Sequence, residues 1–147
     1  MAENRDAVSV FHYAIEVGGA IKGYFTSCSG LGSEHEVIEH KVTDDRGREI
    51  IQKTPGRMKW DNISLERGIT DSMDIWDWRK LVEDGKMDKA RKNGSIVMFN
   101  SELAEVGRWD FERGWPSKVT GPDLKSDSNA IGVEKLTIVH EGMKRKN

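Results

Sequence analysis

The chain is 147 residues long, 36% hydrophobic and 33% charged, with 23 basic and 25 acidic residues for a net charge of −2. That size fits a single domain over residues 1–147, and the balanced charge gives no standing attraction for nucleic acid and no basis for sequence-specific binding to it. A lone cysteine, Cys28, excludes an intrachain disulfide, and no apolar run reaches the roughly 18 residues of a membrane span, so no membrane insertion is expected.

Residues 1–7 are polar, carry no apolar secretory stretch and read as an N-terminal arm. Synthesis and assembly in the cytoplasm are therefore expected. From Val8 the residues alternate, with Phe11, Tyr13, Ile15 and Val17 on one side and Val10, His12, Ala14 and Glu16 on the other. Period two predicts a strand. Gly18-Gly19 predicts a tight hairpin, with a return strand from Ala20 to about Thr26. Gly30-Leu31-Gly32 then breaks the chain.

Alternation resumes from Glu34 to Thr43. Asp44-Asp45-Arg46-Gly47 is turn chemistry, Glu49 to Lys53 reads as the returning strand, and Pro55-Gly56 reads as another turn. Residues 37–53 are thus expected to form a long, highly charged hairpin. A strand from Arg57 to Arg67 carries Met58 and Trp60 on one face, then Ile63 and Leu65 on the other, which predicts a bulge near Asn62 or burial on both sides.

One helix is expected, at about 72–84. Asp71 or Ser72 can cap it, Asp74 suits its first turn, and Gly85 stops it. Ile75, Trp78, Leu81 and Val82 form an apolar stripe for the core, leaving Met73 and Trp76 on the opposite side, either as a second surface or partly buried under a nearby loop. After a polar connection (87–93), strands are expected at Ser95–Phe99, Val106–Arg113 and Val133–His140, with a long loop from Pro116 to Ala130 and a basic tail at 143–147. The fold class is mainly β: a small β-barrel or sandwich of about six to eight strands with one flanking helix. Trp78, Leu81, Trp109 and Phe111 are its expected core anchors.

No motif carries catalytic chemistry. His35 and His40 lie an odd number apart and face opposite sides of a strand, which spoils a zinc site, so no metal is expected. His140 beside Glu141 reads as a strand end, Cys28 as a small buried residue, and Gly30-Leu31-Gly32 lacks the third glycine of a dinucleotide loop. Neither cofactor nor catalytic residue is expected. The five tryptophans suit core and interface packing better than base stacking.

Ordered landmarks run along nearly the whole chain. They are Phe11 to Gly18; Phe25 to Ser29-Gly30-Leu31; Pro55-Gly56; Ile63 to Thr70; the tryptophan-bearing helix; Asn93-Gly94-Ser95-Ile96; Trp109 to Trp115-Pro116; and Leu136 to His140-Glu141-Gly142. Together they resemble the inner-tube proteins of contractile phage tails and of phage-tail-like extracellular injection systems, with the type VI secretion tube protein a more distant relative.

The resemblance implies a helix-flanked β-barrel whose hexameric rings stack into a hollow tube inside a contractile sheath. It also implies baseplate initiator, tape-measure and sheath partners, and DNA or protein cargo in the lumen of a virion tail or injection particle. On that footing Glu39, Lys41, Asp44, Asp45, Arg46, Arg48 and Glu49 are candidates for inter-ring stacking, and Arg108, Asp110 and Glu112 for the lumen face. Met73, Trp76 and Asp77 are candidates for contact with the sheath or a neighbour. The alternative is a secreted ring-forming carrier that holds an effector in its lumen; an enzyme on a small barrel is a third reading.

Overall fold

Alternating apolar residues build two antiparallel sheets in the computed structural model, which describes residues 11–18, 20–70, 72–122 and 132–146. The strands are β1 (His12–Val17), β2 (Ala20–Phe25), β3 (Ser27–Ser29), β4 (Ser33–Thr43), β5 (Glu49–Trp60), β6 (Ile63–Gly68), β7 (Lys92–Phe99), β8 (Glu105–Thr120), β9 (Val133–Val139) and β10 (Gly142–Arg145). The helices are α1 (Asp74–Glu83) and the single-turn α2 (Met87–Ala90). The expected N-terminal arm, Gly19, the Asp71 cap and most of the 116–130 loop lie outside the described residues.

The first sheet runs β2-β1-β7-β8, with β10 on the far side of the first half of β8. The second runs from the end of β8 through β9 and β6 to β3. Two corners join them. β8 leaves β7 and joins β9 around Gly114, just after Arg113 takes φ 51°. A side chain at Gly114 would run into the Phe111 ring, so only glycine fits this corner. The chain passes from β2 to β3 at Thr26, whose amide donates to the Glu66 carbonyl at 2.8 Å. Strands that switch sheets at bends make a sandwich. The ladder does not close into the alternative barrel.

The inner faces meet in one cluster: Ile15, Phe25, Ile63, Leu65, Ile75, Ile96, Phe111, Leu136 and Ile138. Period two fills it, with Ile63 and Leu65 facing Ile138 and Leu136 across β6 and β9. Trp78 packs against this cluster and donates to the Ala90 carbonyl at 2.6 Å, tying α2 to α1. Phe111 is fully buried as expected, whereas Leu81 is only half-buried. Trp109 is also half-buried and sits at the rim: its ring covers Gly107, and the Arg145 guanidinium lies 5.4 Å above it.

Several boundaries depart from the sequence reading. The hairpin is longer than 37–53, because Pro55 continues β5 opposite Val37 instead of turning the chain. A proline is tolerated on such a ribbon because one side of each strand has no ladder to interrupt. Met58 and Trp60 end β5, and the chain breaks at Asp61-Asn62 before β6, where a bulge was expected. β8 runs through Pro116 to Thr120, so the start of the expected loop is strand; the register shift between Pro116 and Lys118 accommodates the proline. Trp76 is corrected from the outer face of α1 to the inner one, where it packs against the core.

Candidate assembly surfaces

Along the first half of β8 the outer face of the first sheet is polar, because Arg108, Asp110 and Glu112 point away from the core; Val97 and Ala14 continue the Arg108 row as buried apolar residues. Arg108 forms a forked pair with Glu16, at 3.3 and 3.1 Å, and meets Glu105 at 2.9 Å. These carboxylates, Glu105 first, hold the Arg108 charge firmly, raising its pKa above the usual guanidinium value. Asp110 accepts from Ser95 Oγ at 2.6 Å and stands opposite Lys144 in β10. Glu112 is exposed next to it. The three expected lumen residues therefore share one face, on the wall of an open hollow of about 670 Å³. Sequence reasoning missed Glu105, three residues before Arg108 in β8, and Glu16 and Ser95, which join that face only through pairing of distant strands.

This sheet has two lateral limits. Among the described residues, β2 ends the strand order on one side, and β10 pairs only with β8 on the other. Directions follow from the antiparallel pairings: β2 and β10 run the same way. Side by side, the two edges of successive copies would align in parallel.

The β4–β5 hairpin is the third surface. Its strands pair with each other from Ser33–Trp60 to Thr43–Glu49 as a separate two-stranded ribbon. At its tip Asp44 accepts the Arg46 and Arg48 amides, at 2.9 and 2.8 Å, and Arg48 Nε at 3.0 Å. The Arg48 amide is the largest of these influences, and together they hold the Asp44 carboxyl below the usual carboxylate range. Lys41 and Glu49 pair at 3.8 Å, and Glu39 stands opposite Lys53. Five of the seven charges expected to reach another ring thus have partners or facing opposite charges inside the hairpin. Asp45 and Arg46 remain exposed at the turn.

The hairpin is rooted through His140, which sequence alone reads as a plain strand end. Its Nε2 lies 3.1 Å from the Asp61 carbonyl, and its ring sits between Trp60 and Phe111 at centroid distances of 5.8 and 6.4 Å.

Met73, just before α1, and Asp77 on it are exposed. Trp76 instead donates to Glu134 Oε1 at 3.1 Å, while Arg67 Nε meets Glu134 Oε2 at 3.0 Å. Arg67 also reaches the Ser72 carbonyl at 3.3 Å and lies over the Phe25 ring. This buried network fixes the helix on the sandwich. Ile15, Val17, Ile75, Trp78 and Leu81 line an apolar groove of about 310 Å³ beside the helix.

Little here resembles a catalytic centre. Burial pushes the Cys28 thiol up to about 12, which leaves almost no thiolate at neutral pH. Among the described residues, no group of histidine, cysteine and carboxylate side chains is placed to hold a metal ion. No described helix is long and apolar enough to cross a membrane.

A two-sheet sandwich with an outer face polar along β8, two lateral edges and a projecting ribbon defines a class of protein: a structural β subunit that joins others. Residues 9–144 match the family described as T4-like virus tail tube protein gp19. The chain belongs to that family and is a structural tube subunit.

Solved structures agree on the fold. A chain of the sheath–tube complex of the extracellular contractile injection system PVC, in its extended state, is 23% identical with a TM-score of 0.69, covering 91% of this chain and 87% of that one. A chain of the anti-feeding prophage baseplate is 18% identical with a TM-score of 0.66, covering 99% and 97%. Hcp1 from Salmonella typhimurium is 12% identical with a TM-score of 0.58, covering 92% and 85%. A search of the curated proteins found no match.

Proposed function

We propose that copies of this chain close into hexameric rings that stack into the inner tube of a contractile tail or injection particle. The observation that carries this reading is the pair of lateral edges, β2 and β10, bounding a sheet whose outer face is polar along β8. Exposed sheet edges ordinarily invite uncontrolled pairing, and a closed ring of head-to-tail contacts consumes them. The polar face then lines the lumen, with Arg108, Asp110 and Glu112 among its residues. A wall of this kind offers passing DNA or protein effectors few apolar contacts.

The related chains come from a sheath–tube complex and a baseplate. By analogy a sheath protein surrounds this tube and a baseplate starts it, a tape-measure protein sets its length, and sheath contraction drives it through a target envelope. Met73, just before α1, and Asp77 on it suit contact with the sheath or a neighbour. The role is mechanical, without turnover of a substrate.

Electron microscopy of the purified chain, alone and with its sheath and baseplate companions, tests the proposal. Long hollow tubes are expected. Isolated rings that retain a passenger protein would favour the carrier reading, and a monomer under every condition would refute both.

A further inference from the structure

The β4–β5 register separates the hairpin into two chemically different faces. Beyond Glu36, one face carries Ile38, His40 and Val42 against Thr54, Gln52 and Ile50, with no carboxylate, lysine or arginine. The other carries Val37, Glu39, Lys41 and Thr43 against Pro55, Lys53, Ile51 and Glu49. On the charged face, Glu39 stands opposite Lys53 and Lys41 pairs with Glu49, so its charges neutralise each other locally. Ile38 and Ile50 are 43% and 47% exposed on the uncharged face, and Val37 and Ile51 are 63% and 58% exposed on the charged one, so it is charge and not exposed apolar area that separates the two. A lone two-stranded hairpin is at best marginally stable in water. Covering the first face buries no formal charge, whereas covering the second buries Glu39, Lys41, Glu49 and Lys53.

We propose that the uncharged face is the one covered in the assembly, that its occupant is a second copy of this chain, and that the charged face stays toward water. This rests on the tube-subunit reading. Area selects the occupant. Five residues per strand and two strands give a footprint of roughly 200 Å², about a quarter of the ~800 Å² per partner that a stand-alone complex needs. Such a contact holds only when other contacts already fix the partner nearby, which is the situation of a copy in a ring or stack. The same chain also offers a largely apolar acceptor, the groove floored by Ile15, Val17, Ile75, Trp78 and Leu81, with Asp74, Asp77 and Lys92 also lining it.

Two neighbouring substitutions test the assignment in the full-length chain. Gln52→Lys and Ile51→Lys add the same charge to adjacent exposed positions on opposite faces. Neither side chain belongs to the core cluster, so both variants should melt like the parent. The readout is the critical concentration for tube growth, measured by sedimentation and microscopy with the baseplate companions present. Gln52→Lys buries a lone charge and should raise it about tenfold or more. Ile51→Lys should change it by less than about threefold.

Equal effects, or the reverse order, overturn the face assignment and leave the tube reading standing. A parent chain that forms neither rings nor tubes overturns the tube reading and this inference together. Tube growth that depends on Gln52 but is propagated by a foreign protein between copies overturns the choice of occupant.

Discussion

At the residue scale the strongest commitment is the buried pair of Arg67 and Glu134. Both would ordinarily be read as surface charges, yet parity placed them inside: Arg67 continues the Ile63, Leu65 series, and Glu134 continues the Leu136, Ile138 series. That signal is legible in the sequence as strand parity. The network serves placement more than net stability, because desolvation offsets much of the attraction between buried charges. Removing one member is another matter. Glu134→Gln should cost about 3–5 kcal/mol in urea unfolding, since it strands the Arg67 guanidinium in the core. Phe111→Ala should cost a similar ~3–5 kcal/mol. Trp109→Ala should cost less than either, because its ring is at the rim. Equal losses for Trp109 and Phe111 would contradict the observed core. Cys28 gives a second check: with its thiol pushed up to about 12 by burial, a maleimide or disulfide reagent at pH 8 should label it only after unfolding.

At the scale of elements, periodicity located most strands and the helix, and failed where tertiary pairing overrode local signals. Pro55 and Pro116 looked like stops and stand inside strands, one on a free ribbon and one at a register shift. Trp76 looked solvent-facing from the helical stripe because the wheel does not reveal that Glu134 waits beneath the helix. The hairpin was legible as an element, but the meaning of its charges was not. Cross-strand register, which decides who neutralises whom, depends on a bulge near Pro55 that the sequence does not announce.

Two outcomes follow for this ribbon. Deleting residues 44–48 should leave the melting temperature of the body unchanged and abolish tube growth, as read by calorimetry and microscopy. The Asp44 turn should also respond to acid. Its carboxyl is held below its ordinary range in the folded hairpin, so the contribution is complete above the unfolded pKa and is lost as pH falls through the depressed folded value. Amide exchange at Gly47 and Arg48 should therefore stay protected through the ordinary carboxylate range and accelerate only below it. Acceleration at the pH of a free carboxylate would mean that the turn is not held by Asp44.

At the scale of the molecule the question is how one copy meets the next, and the first sheet supplies a geometric answer that can be tested without seeing a tube. One row of the sheet runs from Tyr24 in β2 through Ala14 and Val97 to Arg108, whose carbonyl accepts from the Lys146 amide at 2.7 Å. Tyr24 and Lys146 therefore mark the same level on the two lateral edges, and both are exposed. In a head-to-tail ring Tyr24 of one copy approaches Lys146 of the next, whereas a two-fold dimer would bring like edges together. With Cys28→Ser as background, Tyr24→Cys combined with Lys146→Cys should give a ladder of covalent oligomers ending at the hexamer when treated with a short bismaleimide. Tyr24→Cys alone and Lys146→Cys alone should give no ladder, because each then lacks its complement. Efficient dimers from either single variant would indicate a two-fold contact that cannot close into a ring. The hollow lined by Arg108, Asp110 and Glu112 would then be an ordinary solvated surface and no wall of a channel.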